Sequence, residues 1–84
     1  MVTYDSEADK YAMAVAPHPI ALNKELHELL ELIKQSGAST ARVELLGDPR
    51  HRKEATDRIR AALDYYGHSM MVAGTSDIEI EVGG

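Results

Sequence analysis

A two-layer α/β sandwich, with a five-stranded mixed sheet covered on one face by two helices, is the fold this sequence predicts. Three observations lead there. Two long segments repeat apolar residues with the period of a helix, five short segments can run extended, most of them with apolar residues at every second position, and Gly, Pro and Asp-Pro signals separate them in the order ββαβαββ. With 84 residues there is room for one domain, 1–84, and not for two.

Val2 to Tyr4 and Tyr11 to Ala16 read as the first two strands, joined by the polar run Asp5-Ser6-Glu7-Ala8-Asp9-Lys10 as a hairpin connection. In the second strand Tyr11, Met13 and Val15 fall on one side and Ala12, Ala14 and Ala16 on the other, so the larger set is expected to face the helices. Pro17 and Pro19 then punctuate the exit, because each fixes its own φ and disfavours helix in the residue before it. Leu22, Leu26, Leu29, Leu30 and Ile33 line one stripe of the helix that follows, and Gly37 ends it.

The third strand alternates Ala41, Val43 and Leu45 with Arg42 and Glu44, and stops near Gly47. Asp48-Pro49 opens the second helix: the carboxylate can accept from amides of the first turn, and proline is tolerated where its missing donor is not needed. Ala55, Ile59, Ala62, Leu63 and Tyr66 form its apolar stripe, and Gly67 follows. On its solvent side Glu54 with Arg58, and Arg60 with Asp64, are spaced to pair. Ser69 to Ala73 reads as a strand, Gly74-Thr75-Ser76-Asp77 as its turn, and Ile78, Ile80 and Val82 alternate with Glu79 and Glu81 in the last strand. Placing the first and last strands under the crossovers predicts the spatial order 2-1-3-5-4, with both helices on one face and the other face open. A ferredoxin-like order would need a helix directly after the first strand and a hairpin in the middle.

Composition narrows the function. Cysteine is absent, which removes disulfides, thiolate nucleophiles and iron-sulfur or zinc-thiolate sites from consideration. A net charge of -5 argues against a binder that relies on general attraction to duplex phosphates. No apolar run approaches the roughly 18 to 20 residues of a membrane span, and Met1-Val2-Thr3-Tyr4-Asp5 does not resemble a secretory signal, so a cytoplasmic location is expected. No cofactor is expected, and the oligomeric state predicted is a monomer or a weak homodimer.

Few residues suggest chemistry. His18, in Ala16-Pro17-His18-Pro19, could sit at a helix N-terminus and help bind an anion, although a rigid strand-to-helix turn is the plainer reading. His27, His51 and His68 lack the spacing of paired metal ligands. Arg50, His51, Arg52 and Lys53 gather positive charge on the first turn of the second helix, where a phosphate, an RNA or an acidic partner could dock. The open sheet face lacks the stacking rings of a single-strand RNA reader, and its Arg42, Glu44, Glu79 and Glu81 read as solubility patterning. No G-x-S-x-G elbow and no glycine-rich phosphate loop occurs, so catalysis is the class least supported.

Four stretches carry a resemblance: Leu32-Ile33-Lys34-Gln35-Ser36-Gly37-Ala38, Lys53-Glu54-Ala55, Tyr66-Gly67 and Ile78-Glu79-Ile80-Glu81-Val82-Gly83. Across Glu25 to Gly84 the chain resembles computationally designed proteins of two-layer ββαβαββ topology. That resemblance implies a structural scaffold made to fold, with no evolved substrate, and the matched helix stripes and strand charge alternation agree with it. Four Met, four His and the Ala16-Pro17-His18-Pro19 segment depart from such idealised sequences.

The chain is also similar to TusA-like sulfur carriers in its Asp48-Pro49, its Gly67-His68 and its Ala16-Pro17-His18-Pro19. In those carriers a Cys-Pro-x-Pro motif precedes the first helix. Ala16 stands at the cysteine position and cannot hold a persulfide, so this kinship would imply a degenerate domain without sulfur transfer. A likeness in topology to the C-terminal domain of a bacterial translation initiation factor would make Arg50, Arg52, Lys53 and Arg58 an RNA-binding patch, against which the acidic net charge weighs. Gly83-Gly84 is similar to the tails of ubiquitin-like sulfur carriers, whose folds have one main helix where two are read here.

Overall fold

The computed structural model describes residues 1–15 and 18–82. Five strands and two helices follow one another as β1 (Val2–Asp5), β2 (Lys10–Ala14), α1 (Pro19–Ser36), β3 (Thr40–Leu46), α2 (Pro49–Tyr65), β4 (Ser69–Ala73) and β5 (Asp77–Glu81). The predicted two-layer architecture and element order are therefore those of the molecule. Ala16, Pro17, Gly83 and Gly84 lie outside the described residues, and with them the first half of the Ala16-Pro17-His18-Pro19 segment and the closing glycine pair.

The sheet order is β1-β2-β3-β5-β4, which corrects the predicted 2-1-3-5-4. β1 pairs antiparallel with β2, β2 runs parallel to β3, and β5 inserts antiparallel between β3 and β4. The hairpin sits the other way round because its strands differ in what they can bury. β2 carries Tyr11 and Met13, with Val15 just beyond, and all three are buried; β1 buries only Val2. Putting β2 inside gives its three apolar side chains neighbours on both sides, and α1 then crosses between adjacent parallel strands. β1 takes the edge, where exposed Tyr4 and Asp5 cost little.

One core lies between the helices and the sheet. Leu22, Leu26, Leu29 and Ile33 of α1 and Ala55, Ile59 and Leu63 of α2 meet Tyr11, Met13, Ala41, Val43, Leu45, Ile78 and Ile80 on the same sheet face. Each fully buried Leu or Ile contributes about 1.5–3 kcal/mol relative to exposure. Tyr66, predicted to belong to the α2 stripe, is instead 55 % exposed. It is the residue at the end of α2, with φ -87 and ψ 0, where the chain leaves the helix and its ring stacks edge-on against Tyr65 at 5.4 Å.

The local signals operate as the sequence indicates. His18 caps α1 by accepting the Ile20 amide on Nδ1 at 3.3 Å, and Gly37, at φ 74, accommodates the left-handed turn after it. Asp48 caps α2 by accepting the Arg50 amide at 2.9 Å. In the first hairpin the Asp5 side chain accepts from the Glu7 and Ala8 amides, and Asp9 takes a positive φ of 51, a conformation Asp tolerates better than most residues.

Candidate binding groove between the second helix and the sheet edge

The cationic start of α2 divides into two parts once its partners are known. Asp48 holds Arg50: the guanidinium donates from Nη2 at 2.7 Å and from Nε at 3.1 and 3.2 Å to the carboxylate oxygens. Those hydrogen bonds, with the Arg50 amide second, hold the Asp48 carboxyl below the usual carboxylate range, and the same carboxylate raises the Arg50 guanidinium. Asp48 thus occupies the place at the helix N-terminus that a bound phosphate would take. The His51 amide is likewise satisfied, by the Asp48 carbonyl at 3.0 Å.

Arg52 turns toward the sheet. It donates to the carbonyls of Gly47 at 3.3 Å and Thr75 at 3.4 Å, so it ties the β3–α2 connection to the β4–β5 turn. Its Nε is buried and has no hydrogen-bond partner among the described residues. A buried donor left without an acceptor costs about 1–3 kcal/mol.

Beside it runs a groove of about 470 Å³, lined by Pro49, Arg52, Lys53, Thr56, Asp57, Arg60, Val72 and Thr75. On α2 the spacing from Lys53 through Thr56 and Asp57 to Arg60 is that of one helical stripe. On the sheet side Val72 of β4 faces the helices, as its pairing with buried Ile78 requires, yet it remains 48 % exposed because among the described residues no further strand lies beyond β4. Among the described residues neither Lys53 nor Arg60 forms an ion pair; the i,i+4 pair that does form on α2 joins Arg58 to Glu54 at 3.0 Å.

The structure therefore distributes the predicted cluster. Lys53 and Arg52 line the groove, Arg50 is engaged with its own cap, and His51 is half-buried behind them. Arg58, part of the RNA-patch reading, is engaged with Glu54. Arg60 is the groove residue that the sequence reading assigned elsewhere, as a partner for Asp64. Its position two turns beyond Lys53 on the same stripe is the signal that places it with Lys53.

Further recesses differ in charge: one of about 130 Å³ is bordered by Glu79 and Glu81, and one of about 390 Å³ by Glu31 together with Lys34. One of about 290 Å³ is lined by Tyr4, Asp9, Tyr11 and Ser36 among others. There the Tyr4 hydroxyl donates to Asp9 at 2.6 Å, which raises its pKa, and the Tyr11 hydroxyl donates to Ser36 at 3.5 Å. The open sheet face carries Lys10 between Glu44 at 3.4 Å and Asp77 at 3.2 Å. Among the described residues no group of three or more His, Cys, Asp or Glu side chains could hold a metal ion, and no helix is long and apolar enough to cross a membrane. Comparison of the chain with protein families, with curated proteins and with solved structures gave no match.

Proposed function

We propose that the chain is a small binding module that takes an acidic partner in the groove between α2 and β4. The observation that carries this reading is the charge of the groove: Arg52, Lys53 and Arg60 line it against the single carboxylate of Asp57, in a chain whose net charge is -5. Positive potential held in a recess of an otherwise acidic molecule selects an acidic ligand and rejects a cationic one. A partner with carboxylates suits the groove better than an RNA backbone, because Glu79 and Glu81 crowd the open sheet face next to β4 and would repel a long polyanion.

Oligoglutamate titrated at low ionic strength tests the proposal. Binding should weaken as salt rises, and should be lost in the double variant Lys53→Glu, Arg60→Glu while surviving Arg50→Ala, whose guanidinium serves Asp48. Equal binding by the charge-reversed protein would refute the assignment.

A second reading has its own support. Among the described residues the buried ones are hydrophobic throughout, from Val2 to Ile80, and both helices present matched stripes to the sheet. That is what a designed structural scaffold without evolved chemistry would have. A guanidinium midpoint above about 5 M, together with no binding of any anion, would favour it.

A further inference from the structure

Resting on the groove as the binding site, we infer that its occupant is an extended segment that adds to the sheet along the outer edge of β4, with Asp or Glu at every second position. β4 is an edge strand whose other side is paired to β5 from Ser69 to Ala73. In an antiparallel pair the amides and carbonyls of alternate residues point away from the partner, so β4 presents a row of backbone donors and acceptors outward. The opposite edge, β1, carries Asp5 and the Tyr4 hydroxyl held by Asp9, features that discourage strand pairing. β4 has no such guard: its sequence is Ser69-Met70-Met71-Val72-Ala73, without charge or proline.

On its sheet side the groove is lined by Val72 of that strand and by Thr75 of the turn after it, so a strand added beside β4 would bring its helix-side side chains to the groove. Along an extended chain those side chains recur about 7 Å apart. Lys53 and Arg60 are separated by about 10 Å along the α2 axis, a span that their long, flexible stems absorb. Two carboxylates on one side of the segment thus reach Lys53 and Arg60. On the other side the segment meets Met71, 65 % exposed on the open face, which favours an apolar residue there. The recognised pattern alternates acidic and apolar residues over about five positions, the length of β4.

A second copy of this chain fits the edge less well. Two-fold pairing through β4 would set the α2 helices side by side and bring Lys53 and Arg60 of each copy toward those of the other. Like charges would then face one another where the acidic segment supplies opposite ones.

The experiment uses the full chain and a fluorescent peptide of about eight residues alternating Glu and Val. Anisotropy should report binding that weakens at least tenfold in Lys53→Glu, Arg60→Glu, whose folding is checked by circular dichroism. Amide hydrogen exchange should slow at Ser69 to Ala73 in the complex. A peptide with N-methyl groups on alternate residues, and one with the same residues in separate Glu and Val blocks, should each bind at least tenfold more weakly. Equal binding of the N-methylated and block peptides, with no protection of β4, would overturn strand addition while leaving the groove as the anion site. Failure of every acidic peptide to bind would overturn both. Sedimentation showing a dimer protected at β4 would assign the edge to a second copy and overturn the acidic segment.

Discussion

Replacing Gly47 by Ala puts a methyl group where the end of β3 meets the end of β2. The glycine has a φ of 139, and a Cβ built on it lies 2.8 Å from Val15 Cγ2 and 3.1 Å from the Val15 carbonyl oxygen. Neither neighbour moves easily. Val15 is 6 % exposed, and its amide donates to the Leu46 carbonyl at 2.7 Å, which fixes the β2 end beside the turn. The backbone conformation alone costs a side-chain-bearing residue about 1–3 kcal/mol. Crowding of a packed neighbour adds about 1–2 kcal/mol. The reduced freedom of the unfolded chain returns about 0.4–1 kcal/mol, so the net destabilisation expected is about 3 kcal/mol.

Gly37→Ala is the matched control, because that glycine also has a positive φ, 74, but nothing lies within 4 Å of its built Cβ. It should cost about 1 kcal/mol or less. Guanidinium and thermal unfolding followed by circular dichroism measure both. The gap of about 2 kcal/mol corresponds to a melting-temperature difference of about 8–16 °C for a domain of this size. In a Val15→Ala background the Gly47→Ala penalty should shrink, as coupled neighbours do, by about 0.5–1 kcal/mol. If the two glycine variants match within about 0.5 kcal/mol, the close approach of β2 to the β3–α2 connection is refuted.

Leu63→Ala should destabilise by about 2–5 kcal/mol because the side chain is fully buried, whereas Tyr66→Ala, three residues on, should cost less than about 1 kcal/mol; denaturant unfolding of the pair checks this. Asp48→Ala should lower the melting temperature by about 5 °C at neutral pH through loss of the α2 cap. Since the Asp48 carboxyl is held below its ordinary value in the folded state, its contribution is present at neutral pH and is lost as pH falls through that lowered value. Stability curves of Asp48→Ala and the parent should therefore converge in acid. Lys10→Gln should leave Glu44 and Asp77, which pair across β3 and β5, without their shared cation; the variant should melt lower at low salt and recover part of the loss at about 1 M salt. The Lys10 ammonium has its pKa raised, chiefly by the hydrogen bond to Asp77. The stabilisation it gives the parent is thus present below the ordinary lysine value and disappears as pH rises through the raised one.

What the sequence determined by itself is everything carried by a local period or a local cap. Alternation put Tyr11, Met13, Val43, Leu45, Ile78 and Ile80 on the buried face, the 3.6-residue stripe did the same for Leu22 through Ile33, and Asp48 and Gly37 marked helix ends where they occur. Such patterns say which face a residue shows, and they do so because the helix and strand repeat after a few residues. They do not say which strand lies next to which. Either strand of the first hairpin could have paired with β3, and only the packing of three apolar side chains of the β2 segment against one of β1 chose β2. The groove was half legible for the same reason. Lys53 and Arg52 stood out as neighbours in sequence, but Arg60 joins them through a helical turn and Val72 through the sheet, while Arg50 drops out because Asp48, two residues away, takes its charge. Tertiary structure decided these points because hydrogen bonds and van der Waals contacts act between atoms within a few ångströms, whatever their separation along the chain.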